Sequence, residues 1–292
     1  MVNFLLALKE CQQHINKILK KYLYFFSKNK TQLTLAMEYG LCNGGKRLRA
    51  FLVYQVGELF KIPKKNLDNI AASIECIHAY SLIHDDLPAM DNGILRRGLP
   101  SCHIKYGEHL AILAGDALQT LAFHILSSIE MPNIISILAN AIGGNGMCLG
   151  QSLDLEKQGL PISIKRLKRI HQNKTGALIY AALNMTILAG KIYDKRIIND
   201  LKKYAQLIGL AFQIQDDILN VVGSTKKTGK CQGSDEQLHK NTYSSILGLK
   251  KAQKKALNLY KQALITLEYM NKLGYNTKSL IELAHYFIVR DQ

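Results

Sequence analysis

The sequence has few of the residues that interrupt helices. Its 292 residues include five prolines, Pro63, Pro88, Pro100, Pro132 and Pro161, and none falls in residues 1–62 or 162–292. Proline removes a backbone donor and clashes with the preceding turn, so its absence permits long helices at both ends. Closely paired cysteines are also missing. Cys11, Cys42, Cys76, Cys102, Cys148 and Cys231 are widely spaced with no CxxC, which excludes a zinc ribbon or a disulfide framework and fits reduced, mostly buried thiols in a cytoplasm. No stretch shows sustained strand-type alternation, no Ser/Gly/Pro-rich linker divides the chain, and no short repeat is visible. The longest apolar stretches, 110–126 and 177–190, are broken by Asp116 or by Asn184 and Thr186. The run 4–8 is short and is followed by Lys9 and Glu10. Neither a membrane span nor a signal peptide is expected.

What is present is helical spacing. Apolar residues recur three and four apart, as in Leu5, Leu8, Ile15, Ile18 and Leu19, and again in Leu257, Tyr260, Leu264 and Leu267. With 48% hydrophobic residues and this length, the chain can bury a sizeable core. The expectation is one all-α domain spanning residues 1–292, with roughly ten or more helices. Breaks are expected at 43–45, 61–65, 92–100, 130–133, 159–162, 223–233 and 272–276.

The charge is lopsided: 38 Lys and Arg stand against 22 Asp and Glu, a formal net charge of +16. Such a balance invites a nucleic-acid reading. Yet residues such as Lys250, Lys251, Lys254, Lys255 and Lys261 are scattered at helical surface spacings, with no basic tail and no aromatic-interleaved stripe. A solvated basic surface without a nucleic-acid partner is the expectation, and a site for phosphorylated small molecules is the alternative.

Two acidic pairs favour that alternative. His84-Asp85-Asp86 and Gln215-Asp216-Asp217 each end an apolar helical run, about 130 residues apart. Adjacent carboxylates at an apolar helix end repel and lose hydration, so they call for a compensating cation. In the second pair, four residues separate Gln213 from Asp217 and Asp216 from Asn220, which puts all four close to one helix face. In the first, Asp91 would point away from Asp85 on a straight helix, but Pro88 disrupts the ladder and a turn there could bring it back. Few carboxylates, with no Cys or His at ligand spacing and no calcium-loop pattern, fit Mg²⁺ better than Zn²⁺ or Ca²⁺.

Basic groups accompany the acidic ones. Gly44-Gly45-Lys46-Arg47-Leu48-Arg49 puts glycines and three cations at a helix start, which describes a phosphate grip without Walker spacing. Arg96-Arg97-Gly98 follows the first acidic set, Lys174-Thr175-Gly176 adds a cation, a hydroxyl and a glycine that can loosen a helix, and Lys230 and Lys240 flank the loop after the second pair. Taken singly, each is equally readable as a surface charge. His78 lies two turns before Asp85 on one stripe, and a buried core histidine is the other reading of it.

GGKRLR, HDDLPAMD, RRGLP, GQSLDL, KTGALI, FQIQDD and TGKCQG, in that order, closely resemble the trans-prenyltransferases of the polyprenyl synthase family, and within them the bacterial farnesyl diphosphate synthases, over essentially the whole chain. The resemblance implies an all-α bundle around a deep central cavity, a homodimer, and a cytoplasmic enzyme. It implies Mg²⁺-dependent condensation of isopentenyl diphosphate with dimethylallyl and then geranyl diphosphate, giving farnesyl diphosphate. Asp85, Asp91 and Asp216, supported by Asp86 and Asp217, would hold Mg²⁺, three ions per site. Arg96, Lys174, Lys230 and Lys240 would hold the allylic diphosphate, and Lys46, Arg49, His78 and Arg97 would hold isopentenyl diphosphate. Thr175, Gln213 and the Lys174 carbonyl would stabilise the allylic cation, and Tyr80 would set the cavity floor, although helical spacing alone puts Ser81 directly below Asp85. Asn220 stands where the family's second motif usually has an Asp, and Ser224 and Ala50 also depart from it. Geranyl or geranylgeranyl diphosphate synthesis, or a catalytically weakened partner subunit, are the alternatives.

Overall fold

The computed structural model describes residues 2–26, 28–222 and 240–289, and these are almost wholly helical. The expected site residue Lys230, the departure at Ser224 and the expected break at 223–233 lie outside the described residues. In chain order the elements are α1 (Val2–Phe26), α2 (Gln32–Cys42), α3 (Leu48–Leu59) and α4 (Lys64–Asp85); then the two-residue strands β1 (Leu95–Arg96) and β2 (Leu99–Pro100). Helices α5 (Cys102–Tyr106), α6 (Glu108–Ser127), α7 (Pro132–Ile142), α8 (Met147–Glu156) and α9 (Ile164–His171) follow. A π-helical turn, Gln172–Gly176, leads into α10 (Ala177–Ala189) and α11 (Lys195–Val222), and α12 (Tyr243–Leu247), α13 (Leu249–Lys272) and α14 (Lys278–Val289) complete the set.

Helix α4 is buried on nearly every face, with Leu67, Ile70, Ile74 and Ile77 all in the core, and α2, α3, α6 and α10 pack around it. Its buried polar groups are paired, as burial requires: the Ser73 hydroxyl reaches Ala122 O at 2.9 Å, and Asn69 Nδ2 donates to Ser128 Oγ at 2.8 Å. A second apolar cluster joins α3, α10, α11, α13 and α14, where the fully buried Tyr204 donates its hydroxyl to Leu280 O at 2.6 Å. A smaller third cluster, with Leu167, Ile214, Tyr243 and Ala252, ties α9 to α11, α12 and α13. Helix α6 is long and apolar enough to cross a membrane by length and composition, contrary to the expectation of no such stretch. Its Ala111, Ala114, Leu118, Leu121 and Ile125 lie in the core, which accounts for much of that character, while Ile112 and Leu113 are exposed.

The described breaks at 43–45 and 159–162 fall between helices, 61–65 and 130–133 run into the first residues of α4 and α7, 92–100 covers β1 and β2, and 272–276 spans the end of α13 and the turn before α14. The one strand pair among the described residues was not foreseen. It is a hairpin whose two turn residues, Arg97 (φ 56°) and Gly98 (φ 76°), are both left-handed, the backbone of a type I′ turn that suits the twist of short antiparallel strands. That hairpin fixes Arg96 and Arg97 against different partners.

Candidate active site

Helix α4 ends at Asp85, and the chain folds back instead of continuing. Asp91 N donates to Asp85 O (2.9 Å), Asn92 N to Leu87 O (3.0 Å) and Gly93 N to Asp86 O (3.1 Å). Asp91 is thereby returned beside Asp85, and both line a cavity of about 440 Å³. Asp86 occupies a different environment. It is 2% exposed, does not line that cavity, and takes a two-point grip from Arg96, Nε to Oδ2 at 2.9 Å and Nη2 to Oδ1. Gly93 is required beside it, because a Cβ there would stand 2.6 Å from Asp86 Oδ1.

The second pair is arranged differently. Gln213, Asp216, Asp217 and Asn220 of α11 all line the cavity, as their spacing on one face predicts. Asp217 is only 2% exposed; its Oδ2 accepts the Tyr243 amide at 2.8 Å and its Oδ1 accepts Gln213 Nε2 at 3.3 Å. Gln213 Oε1 in turn accepts the Thr175 hydroxyl at 2.8 Å. In each pair the second carboxylate is tied to its neighbours, Asp86 away from the cavity and Asp217 at its lining.

The cations sort similarly. Arg47, grouped with Lys46 and Arg49 as a phosphate grip from sequence, turns inward. It is left-handed (φ 50°) and 3% exposed, and its Nη1 donates to Glu75 Oε2 at 2.9 Å. Glu75 Oε1 also accepts the Ala50 amide at 3.3 Å. This buried pair shapes the start of α3, and both of its members line the cavity beside Lys46 and Arg49. Lys46 Nζ lies 5.6 Å from the Tyr286 ring centroid. Arg97 Nη1 donates to Gly44 O at 2.9 Å, crossing to the glycine loop. Lys174 Nζ pairs with Asp154 Oδ2 at 2.8 Å and Lys240 Nζ with Asp91 Oδ2 at 2.7 Å.

Lys174 and Thr175 sit on the π-helical turn, where the widened backbone re-aims side chains at a helix junction. Close packing holds it: a Cβ on Gly150 would meet Lys174 N at 2.1 Å, so α8 approaches this turn only because residue 150 has no side chain. His78, Ser81 and Leu82 line the cavity from α4. Tyr80 does not. It lies buried behind that wall, its hydroxyl 3.8 Å from Cys148 Sγ and its ring 5.4 Å from that of His84. The face nearest the cavity is therefore the one helical spacing selects, through Ser81.

The field in the cavity is mixed. Burial raises the Asp85 carboxyl above its ordinary value and the Asp91 charge adds to this, against the opposing charges of Lys174, Arg96 and Lys240. Burial alone would lower Lys174, but Asp85, Asp154 and Asp91 together carry it above the usual lysine value. Burial with the neighbouring Arg47 pushes Arg97 down to about 10, and burial with Arg49 and Arg97 holds His78 well below the ordinary histidine value, so its ring is neutral. Asp85, Asp91 and Asp216, which line the same cavity, are hard oxygen donors, the set magnesium prefers. Among the described residues no three such groups are already clustered. Oxygens from a second, polyanionic ligand would be needed to complete the coordination, which is how magnesium is held at phosphate sites.

Three titratable residues of this site had no role assigned from sequence: Glu75, Asp154 and His171. Asp154 lay inside GQSLDL, and an acidic residue amid apolar helix neighbours was the available signal. His171 and Glu75 carried none beyond their position in apolar helical runs.

The chain matches the polyprenyl synthetase family over residues 30–274 and belongs to that family. Among its relatives, it is 49% identical to the farnesyl diphosphate synthase of Escherichia coli strain K12 over the full length of both chains. Its fold superposes on an FPP/GFPP synthase from Zymomonas mobilis with a TM-score of 0.85 at 36% identity, covering 99% of each chain. It is also similar to a geranyltransferase from Helicobacter pylori whose crystal structure is of its complex with magnesium and isoprenyl diphosphate (TM-score 0.78, 33% identity, 95% of this chain and 96% of that one).

Proposed function

We propose that the chain, as one domain over residues 1–292, condenses isopentenyl diphosphate head to tail with dimethylallyl and then geranyl diphosphate, releasing diphosphate at each step and ending at farnesyl diphosphate. The observation that carries this reading is that Asp85, Asp91 and Asp216 line one cavity together with Lys174, Lys240 and Arg96. The full-length identity to a farnesyl diphosphate synthase supports the fifteen-carbon product.

Asp85, Asp91 and Asp216 would hold magnesium, three ions being the expected complement, with Asp86 and Asp217 fixing the surrounding framework. When bound, magnesium supplies Lewis-acid stabilisation of the charge that builds on the departing diphosphate. Lys174, Lys240 and Arg96 give that leaving group further cationic contacts, set in place before reaction and needing little reorganisation. Lys46, Arg49, His78 and Arg97 hold the diphosphate of the second substrate at the opposite wall, where a neutral His78 contributes a hydrogen bond instead of a charge. The oxygens of Thr175 and Gln213, locked to each other at 2.8 Å, face the allylic cation as it forms. The double bond of isopentenyl diphosphate attacks that cation, and a proton leaves to the released diphosphate. Leu82, Met147, Leu178 and Phe212 line the same cavity and exclude the water that would quench the cation.

We further propose a cytoplasmic homodimer, with the exposed Ile112 and Leu113 of α6 on the covered face. Release of inorganic diphosphate from geranyl and isopentenyl diphosphates, with and without Mg²⁺, tests the function. Magnesium-dependent release that needs both substrates is the expected result, and release from geranyl diphosphate alone would count against a condensation.

A further inference from the structure

His171 ends α9 and immediately precedes the π-helical turn that carries Lys174 and Thr175. It lines the cavity, yet the residue is only 7% exposed. Its Nε2 lies 4.0 Å from Asp217 Oδ2, and its ring centroid is 5.5 Å from that of Tyr243. Tyr243 N donates to that same Asp217 oxygen at 2.8 Å. The imidazole is thus wedged at the point where α9, α11 and α12 meet. Its Nδ1 is buried and has no hydrogen-bond partner among the described residues.

We infer that His171 is a positioning residue of the diphosphate site: its ring holds Asp217 and Tyr243 in place, and its Nδ1 accepts a hydrogen bond from water ordered around a bound diphosphate. The inference rests on the prenyl-transfer reading above. An ionised Asp217 can only accept, so the ring nitrogen facing it is the one that bears the proton, and Nδ1 is left as an acceptor. A distance of 4.0 Å is beyond a direct hydrogen bond, so this contact sets orientation by shape and charge. A buried acceptor in a polar cavity needs a donor. Water is a suitable donor when it has two or more polar partners, and the shell of a diphosphate held by Lys174 supplies them. Through Asp217 the ring also touches the chain of contacts running to Gln213 and Thr175. His171 therefore acts on the allylic side of the cavity and leaves the Lys46 and Arg49 wall alone.

The test compares His171→Phe, which keeps the ring against Tyr243 and removes both nitrogens, with His171→Asn, which keeps a polar atom near the Nδ1 place. Titration calorimetry with inorganic diphosphate and Mg²⁺ is read alongside thermal melting and steady-state kinetics. For His171→Phe the melting temperature should hold, while diphosphate affinity falls and KM for geranyl diphosphate rises, each roughly tenfold, as for other residues that orient a site from behind. KM for isopentenyl diphosphate should stay unchanged, and His171→Asn should recover part of the affinity. Wild-type diphosphate affinity in His171→Phe would overturn the inference, as would equal loss for both substrates without recovery in His171→Asn. Should His171→Phe not fold, His171→Asn against His171→Gln decides: tighter diphosphate binding by Asn supports the inference, and equal binding overturns it. Failure of the wild-type chain to form any prenyl product overturns only the functional reading, because the binding comparison needs no turnover.

Discussion

Lys240 Nζ stands 2.7 Å from Asp91 Oδ2, a bond that joins residues 149 positions apart, both on the lining of the cavity. The side chains are 12% and 19% exposed, so the pair is largely shielded from solvent and from screening salt. In the free protein the lysine neutralises a carboxylate that the proposed reaction assigns to magnesium. On binding, the same ammonium becomes available to diphosphate oxygens.

Lys240→Gln therefore leaves Asp91 without its counter-charge and the diphosphate without one cation. The expected outcome is a rise in KM for geranyl diphosphate of about tenfold, or about 1.4 kcal/mol, with KM for isopentenyl diphosphate little changed. Steady-state kinetics with one substrate saturating at a time checks this. An equal effect on both substrates would count against the placement of Lys240 on the allylic side.

The Arg47–Glu75 pair is a matter of stability. Its side chains are 1% and 2% exposed, and removing one member leaves the other charged in the core. Arg47→Met should cost about 3 to 5 kcal/mol, whereas Arg47→Met with Glu75→Leu should cost distinctly less, because the desolvation penalty disappears with both charges. Urea unfolding of the three proteins measures the difference.

Asn220 lies on the cavity wall one helical turn beyond Asp216, where it adds an amide and no charge. Asn220→Asp should lower the Mg²⁺ concentration needed for half-maximal turnover, since an added carboxylate strengthens a hard-cation site. A magnesium titration of rate in the two proteins decides, and an unchanged midpoint would mean that this position does not reach the metal.

Tyr80 lies behind the Ser81 face of α4 and against Cys148. Tyr80→Ala opens space at that wall, and the expected result is product longer than fifteen carbons, read by chromatography after dephosphorylation. An unchanged chain-length distribution would place the floor elsewhere, with Met147 of α8 the next residue to truncate.

The helical plan was legible because it is local. Apolar spacing marks α1 and α13, Pro132 marks where a helix starts, and the glycines at 44 and 45 mark where one stops. The aspartate pairs were legible as pairs. The turning of Asp86 away from the cavity was not, because Asp86 is distinguished from Asp85 only by Arg96, ten residues on, and by a hairpin whose left-handed Arg97 no spacing rule announces. Arg47 shows the same limit. In sequence it is one of three neighbouring cations, and its inward turn depends on Glu75, a residue on another helix. The π-helical turn was half legible: Gly176 suggested a loosened helix, but the close approach of Gly150 to Lys174 is a tertiary fact.

The most direct measurement of the account is the chain length formed from geranyl and isopentenyl diphosphates by the wild-type chain and by Asp85→Asn. With Mg²⁺, the wild type should give a fifteen-carbon product and Asp85→Asn should lose on the order of a hundredfold in kcat, with its melting temperature retained. No elongated product from the wild type, or full turnover by Asp85→Asn, would contradict it.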